Sequence, residues 1–316
     1  MRIILASPRG FCAGVNMAID SLTMAIQEFG TPLYGYHEIV HNRWVVDQFL
    51  SEGVTFVNDL SQVTEGAHLL YSAHGVSPEI RRQAALRNFK TIDATCPLVT
   101  KVHKEAIRFA SEGYIILLVG HANHDEVIGT MGEVPNSIIL VQTTEDVDRL
   151  DLPDTAKVAY LTQTTLSIDD AAEIIDRLKQ RFPHIVGPPR EDICYATQNR
   201  QNAVRILAKE SDIVLVIGSR NSSNSQRLAE MARSQDVTAY LIDGPADIDF
   251  SWFSGHETIT ITAGASAPES VVQQCVAMLQ EHFKATVENR VIKEENVSFV
   301  LPEPLRSIKN SKQTVH

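Results

Sequence analysis

Cys12, Cys96 and Cys194 each stand where a strand-like run hands over to a helical one, in PRGFCAGV, DATCPLVTKV and DICYATQNR. Three thiols in one repeated context point to a shared metal centre. They lie 84 residues (12 to 96) and 98 residues (96 to 194) apart, so no local CxxC hairpin can pre-form the site. The fold itself must assemble it. A helix-period run follows each cysteine, clearest as Val15, Ile19, Leu22, Ile26 and Phe29 after the first. A sulfur at a helix N-terminus meets the positive end of the macrodipole, which favours the metal-ligating thiolate. Cys275 is different: with Val272, Val276 and Leu279 it makes one apolar helical face and reads as core.

Other polar clusters recur in step with the cysteines. His41 of HEIVHNR lies 29 residues past Cys12, His124 of GHANHDE 28 past Cys96, and Ser222 of GSRNSSNS 28 past Cys194. A second series follows apolar runs: His74 of YSAHGVS at 62 past its cysteine, Thr164 of LTQTTLS at 68, and Ser266 of TAGASAP at 72. Imidazoles, hydroxyls and the amide of Asn224, beside Ser222 and Ser223, suit a ring of donors around an anion. Several charge-assisted hydrogen bonds of about 1.5–3 kcal/mol each can hold a diphosphate without metal. Such runs are elsewhere mere turn and capping residues; their repetition at strand ends favours the anion pocket. His37, His103 and the other histidines have no recurrent placement and are read as solvated or packed. Glu126, on the same loop as His124, is the acid of these motifs placed to deliver a proton, with Asp125 its neighbour. Thr164 is positioned to relay that proton or fix an alcohol.

A period near 90 residues is too long for a solenoid and suits a small domain. The expected fold is α/β: three pseudo-repeated units, 1–96, 97–193 and 194–281, each with a short, mostly parallel sheet around a central site, then a polar tail, 282–316. In that tail only VSFVLP reads as a strand, and the last residues are expected to be mobile. Ligands in open α/β sheets sit beyond the carboxyl ends of the strands, where every cluster above falls.

A length of 316 residues with 44% hydrophobic content is ample for a buried core. With 28 Lys and Arg against 39 Asp and Glu, the formal charge of −11 argues against general nucleic-acid or anionic-membrane binding. Apolar stretches such as YIILLV fall far short of the roughly 18 residues of a membrane span. MRIILASPRG is too brief in its apolar run, and interrupted by Pro8-Arg9, to serve as a signal peptide. The chain reads as cytoplasmic, with its four cysteines as thiols or ligands. Neither a GxGxxG fingerprint after a strand nor a GxxxxGK[ST] loop is present, so electrons for any redox chemistry arrive from outside. Three centres remain open: a structural or hydrolytic zinc site, a redox-sensing thiol cluster, and an iron–sulfur cluster with a fourth position left to solvent or substrate. Zinc sites are usually built from close ligand pairs, which this chain lacks.

The motifs PRGFCAGV, HEIVHNR, SAHGVS, DATCPLVTKVH, GHANHDEVIGTMGE, TQTTLS, DICYATQNRQ, GSRNSSNSQRL and TAGASAP, in this order, resemble the 4-hydroxy-3-methylbut-2-enyl diphosphate reductase family from residue 1 to about 281. The resemblance implies a three-lobed α/β fold and one [4Fe–4S] cluster with Cys12, Cys96 and Cys194 as its protein ligands. It implies a diphosphate pocket of His41, His74, His124, Ser222, Ser223, Asn224 and Ser266, with Thr164 at the hydroxyl-binding position and Glu126 in the proton relay. The implied reaction ends the methylerythritol phosphate route of isoprene biosynthesis by removing a hydroxyl reductively, giving isopentenyl and dimethylallyl diphosphates. Its implied electron donor is flavodoxin or ferredoxin. Asp125 stands where the family commonly has proline, and Asn16-Met17 where it commonly has Asp-Arg. A zinc-dependent phosphohydrolase and a non-enzymatic iron–sulfur sensor are the competing readings.

Overall fold

The computed structural model describes residues 1–153 and 155–313. In chain order its first elements are β1 (Arg2–Ser7), α1 (Ala13–Phe29), β2 (Leu33–Tyr36), α2 (Arg43–Ser51), β3 (Val54–Val57), β4 (His68–Tyr71), α3 (Pro78–Leu86), β5 (Lys90–Asp93) and α4 (Pro97–Ser111). There follow β6 (Ile115–Val119), α5 (Asp125–Glu133), β7 (Ile138–Val141), α6 (Thr144–Arg149), β8 (Val158–Thr162), α7 (Ile168–Arg181) and α8 (Tyr195–Leu207). The last are β9 (Ile213–Ile217), α9 (Ser223–Arg233), β10 (Thr238–Ile242), β11 (Thr258–Ala263), α10 (Glu269–Phe283), β12 (Thr286–Val291) and α11 (Glu303–Gln313).

Three parallel sheets result, as the sequence leads one to expect: β3-β2-β4-β5, β7-β6-β8 and β10-β9-β11-β1-β12. The chain divides into two compact units, one of Met1–Val15, Val40–Phe49 and Tyr195–Val297, the other of Asn16–Ile39, Leu50–Cys194 and Ser298–His316. The first unit holds the five-stranded sheet. Its interior strand β9, IVLVI, is buried at all five positions, the uninterrupted apolar run of a strand covered on both faces. Register places Leu215, Ile261 and Leu5 in one row, and this face packs on Val272, Cys275 and Leu279 of α10.

The second unit holds the other two sheets. In β6, alternate residues serve opposite faces. Leu117 and Val119 meet Ala171, Ile174 and Leu178 of α7, while Ile116 and Leu118 meet Val102, Ala106 and Phe109 of α4. Both helices show the i, i+3, i+4 spacing of an apolar stripe. In β3-β2-β4-β5, Val57, Leu69 and Tyr71 pack against Ala84 of α3.

Three expectations change. β1 does not join the sheet of residues 33–93; it lies between β11 and β12, paired Ile3 to Ile259 and Ile3 to Val287. The strand of the tail is β12, whereas VSFVLP is irregular and Glu303–Gln313 is a helix. TVENRV is polar because it is an edge strand, held by backbone pairing and by an Arg2–Glu288 ion pair at 2.8 Å, so no apolar alternation marks it. No strand precedes Cys194 directly: one parallel bridge, Ala159 to Val186, is made before Gly187, Pro188 and Pro189 end the pairing. The expected mobility of the last residues falls partly on 314–316, which lie outside the described residues.

Candidate active site

Each of the three cysteines stands one residue before a helix: Cys12 before Ala13 of α1, Cys96 before Pro97 of α4, and Cys194 before Tyr195 of α8. None is in a disulfide, and all three are half-buried. Backbone bonds seat them similarly. The Cys12 N–H donates to Ala265 O at 3.2 Å in the first unit. In the second, Cys96 N–H donates to Ala73 O at 3.0 Å and Cys194 N–H to Thr164 O at 3.0 Å. Cys275 is fully buried in α10, where burial pushes its thiol up to about 12. Its thiol stays protonated near neutrality and packs in the apolar core. A thiol at a helix N-terminus is a soft donor of the kind that ligates iron–sulfur clusters or zinc, and does not suit hard cations.

The second unit carries the acid. His124 caps α5, its Nδ1 accepting the Glu126 N–H at 3.2 Å, which leaves the ring proton on Nε2. Asp125 and Glu126 therefore sit in the first turn of a helix and not on an extended loop. An imidazole cap and two acids at the positive end of the helix dipole explain why the helix starts here. Glu126 is 2% exposed, and its carboxyl is held on both oxygens by Thr164, from N–H to Oε1 at 2.7 Å and from Oγ1 to Oε2 at 2.8 Å. Burial outweighs these two bonds and raises the Glu126 pKa to about 7, with the nearby Asp192 charge adding to the rise. The rings of His74 and His124 meet edge-on at 5.8 Å, and His74 Nδ1 lies 3.4 Å from Ser72 Oγ.

The first unit carries the hydroxyl and amide donors. Ser222 caps α9 by accepting the Ser225 N–H at 3.3 Å, so Ser223 and Asn224 lie in the first turn of the helix. Asn224 is aimed by its own bonds: Oδ1 accepts from Ala265 N–H at 2.9 Å, and Nδ2 lies 3.4 Å from Thr197 Oγ1. Ser266 Oγ donates to His41 O at 2.9 Å, which ties the second recurrent cluster to the first within this unit. A helix N-terminus lined by hydroxyls is suited to phosphate oxygens.

Several groups escape sequence reasoning. His37, read from sequence as solvated or packed, is packed: its Nδ1 lies 2.7 Å from Asp125 Oδ1, both side chains mostly buried. That pairing turns Asp125 away from Glu126, and Asp125 is not among the causes of the raised Glu126 pKa. His103, buried in α4, bonds Glu133 at 2.9 Å. Asp192, two residues before Cys194, is buried against Lys101 Nζ at 2.7 Å and Thr162 N–H at 3.0 Å, and burial raises its pKa. Its place in the DIC motif was the one available signal; burial is invisible in sequence.

The fold defines a parallel α/β protein that carries thiol, imidazole, hydroxyl and carboxyl groups on loops and at helix N-termini. The chain belongs to the LytB protein family, whose model matches residues 3–280. A Rhodopirellula baltica protein named 4-hydroxy-3-methylbut-2-enyl diphosphate reductase is 58% identical over 307 residues, covering 97% of this chain and 96% of the relative. A Hahella chejuensis protein of the same name is 51% identical, covering 97% and 98%. The solved structure of the E-1-hydroxy-2-methyl-but-2-enyl-4-diphosphate reductase from Plasmodium falciparum superposes with a TM-score of 0.96 at 40% identity, over 99% of both chains. Among the described residues no helix is long and apolar enough to cross a membrane.

Proposed function

We propose that this chain catalyses the reductive dehydroxylation of (E)-4-hydroxy-3-methylbut-2-enyl diphosphate. Two electrons and two protons enter, the C–O bond to the terminal hydroxyl breaks, and isopentenyl or dimethylallyl diphosphate leaves with water. The observation that carries this reading is Glu126, a buried carboxyl held near pKa 7 on a helix whose cap, His124, belongs to the candidate diphosphate donors. Hydroxide is a poor leaving group, and a carboxylic acid that is protonated near neutrality lowers the barrier by delivering its proton as the bond breaks. Thr164 steadies both oxygens of Glu126 and presents its hydroxyl toward the same carboxyl, the right place for a relay.

Cys12, Cys96 and Cys194 are the three protein ligands of one [4Fe–4S] cluster in this reading, which supplies the electrons and a Lewis-acidic position when bound. His41, His74, His124, Ser222, Ser223, Asn224 and Ser266 hold the diphosphate and so orient the allyl group for reaction. A low-potential protein, flavodoxin or ferredoxin, provides the electrons, and the reaction takes place in the cytoplasm, where thiols stay reduced.

Anaerobic purification with iron, sulfide and zinc analysis tests the centre. Cys12→Ser, Cys96→Ser and Cys194→Ser are each expected to lose the cluster and turnover, while Cys275→Ser keeps both. Stoichiometric zinc without iron in the parent protein would favour the hydrolase alternative and end this proposal.

A further inference from the structure

The loop that bears Cys12 is tied down by residues to which the motifs assign no role. Gly10, two positions earlier, has φ +66°, and a Cβ there would meet Ala267 O at 3.2 Å, so a side chain here would be strained and crowded. The Gly10 N–H donates to Ala263 O at 3.2 Å, and its carbonyl accepts two bonds from Arg200 of α8, from Nε at 3.2 Å and Nη2 at 2.8 Å. One residue after the cysteine, the Ala13 N–H donates to the Tyr195 hydroxyl at 3.2 Å. Both flanks of Cys12 are thus gripped from the helix that begins directly after Cys194.

Arg200 is 0% exposed, an uncommon state for a guanidinium. It is satisfied by Ala196 O at 2.9 Å and by Glu295, whose Oε1 lies 3.0 Å from Nη1 and also accepts from Asn199 Nδ2 at 3.0 Å. Glu295 lies beyond residue 280, where the family match ends. β12 brings it there: it runs beside β1, and Ile292 N–H continues the pairing to Ser7 O at 2.8 Å. A buried ion pair is weak evidence of stability, because well-packed apolar residues often do as well. What this pair does supply is direction, fixing one carbonyl two residues from a ligand.

We infer that Arg200, Tyr195 and Glu295 are positioning residues that hold the Cys12 loop in its ligating shape, which makes the C-terminal segment a working part of the metal centre's support. The inference rests on the proposed role of Cys12. Supporting groups of this kind commonly change metal retention by 10–100-fold when removed.

The test uses anaerobically purified holoprotein: parent, Glu295→Gln, Arg200→Met, the double variant, and Glu294→Gln as an exposed control one residue away. Iron loss to an iron(II) chelator, the electron paramagnetic resonance spectrum of the reduced protein and the thermal midpoint are recorded for each. Glu295→Gln is expected to lose iron about 10-fold faster with an altered spectrum, while Glu294→Gln matches the parent. The double variant, which leaves no buried charge unpaired, should recover the thermal midpoint and not the iron retention. Recovery of both together, or parent-like iron loss and spectrum in Glu295→Gln, overturns the positioning role. Should Arg200→Met fail to fold, Glu295→Gln and the double variant still decide. A parent protein without iron overturns this inference and the proposed function alike, whereas an iron-loaded parent with indifferent variants overturns this inference alone.

Discussion

At the scale of single residues, Glu126 is a carboxyl whose burial suits the proton-delivering role proposed for it. Its folded pKa, raised to about 7 from 4.5, means that the native state binds a proton the unfolded chain has released. The stability it contributes is therefore present below about pH 4.5 and is lost as pH rises through about 7. Turnover that needs the protonated form should fall over the same alkaline limb. Glu126→Gln should keep fold and cluster content while anaerobic turnover drops by about 10²–10⁴, and the limb near neutrality should vanish with it. Thr164→Val removes a hydrogen bond that lowers the Glu126 pKa, so any remaining limb should move to higher pH. Asp125→Asn is the control. Because Asp125 faces His37, its loss should leave the limb in place and cost far less rate. Near-normal turnover in Glu126→Gln, or an equal collapse in Asp125→Asn, would place the proton on another group.

At the scale of elements, the recurring device is a helix that begins where ligand chemistry is needed. α9 shows why hydroxyls cluster there: Ser222 satisfies a first-turn amide, and such a helix N-terminus suits an anion. Ser222→Ala should lower stability by about 0.5–2 kcal/mol, as loss of a cap does, read as a lower thermal midpoint. Ser222→Asp, an equally good cap, should recover the midpoint, yet its added negative charge should weaken allylic diphosphate binding further. Calorimetric titration of both variants separates these effects, and diphosphate affinity that follows the midpoint would count against an anion site at α9. For Ser223→Ala or His41→Ala, each one donor short, a loss of about 1.5–3 kcal/mol corresponds to one to two decades of affinity.

At the scale of the whole molecule, the sheets do not all follow the order of the chain. The sheet β7-β6-β8 is contiguous, lying between residues 115 and 162, whereas the five-stranded sheet needs β1 from the opposite end. A fragment of residues 97–193 should fold alone, while 194–281, deprived of β1 and β12, should not; far-UV circular dichroism and thermal melting decide. A cooperative melt of 194–281 would show that β1 is dispensable to that sheet. The sequence by itself determined the α/β class, the three sheets, the cysteine–helix junctions and the family, because periodicity, turn residues and ordered motifs are local. It also singled out Glu126, Thr164 and the SSN run at 222–224. Only the tertiary structure decided that β1 sits between β11 and β12, that TVENRV and not VSFVLP is a strand, that Asp125 turns to His37, and that Arg200 reaches Gly10. Those outcomes depend on which partners long-range packing supplies: an edge strand is stabilised by its neighbour's backbone, and a carboxyl's proton affinity by the water that the fold removes.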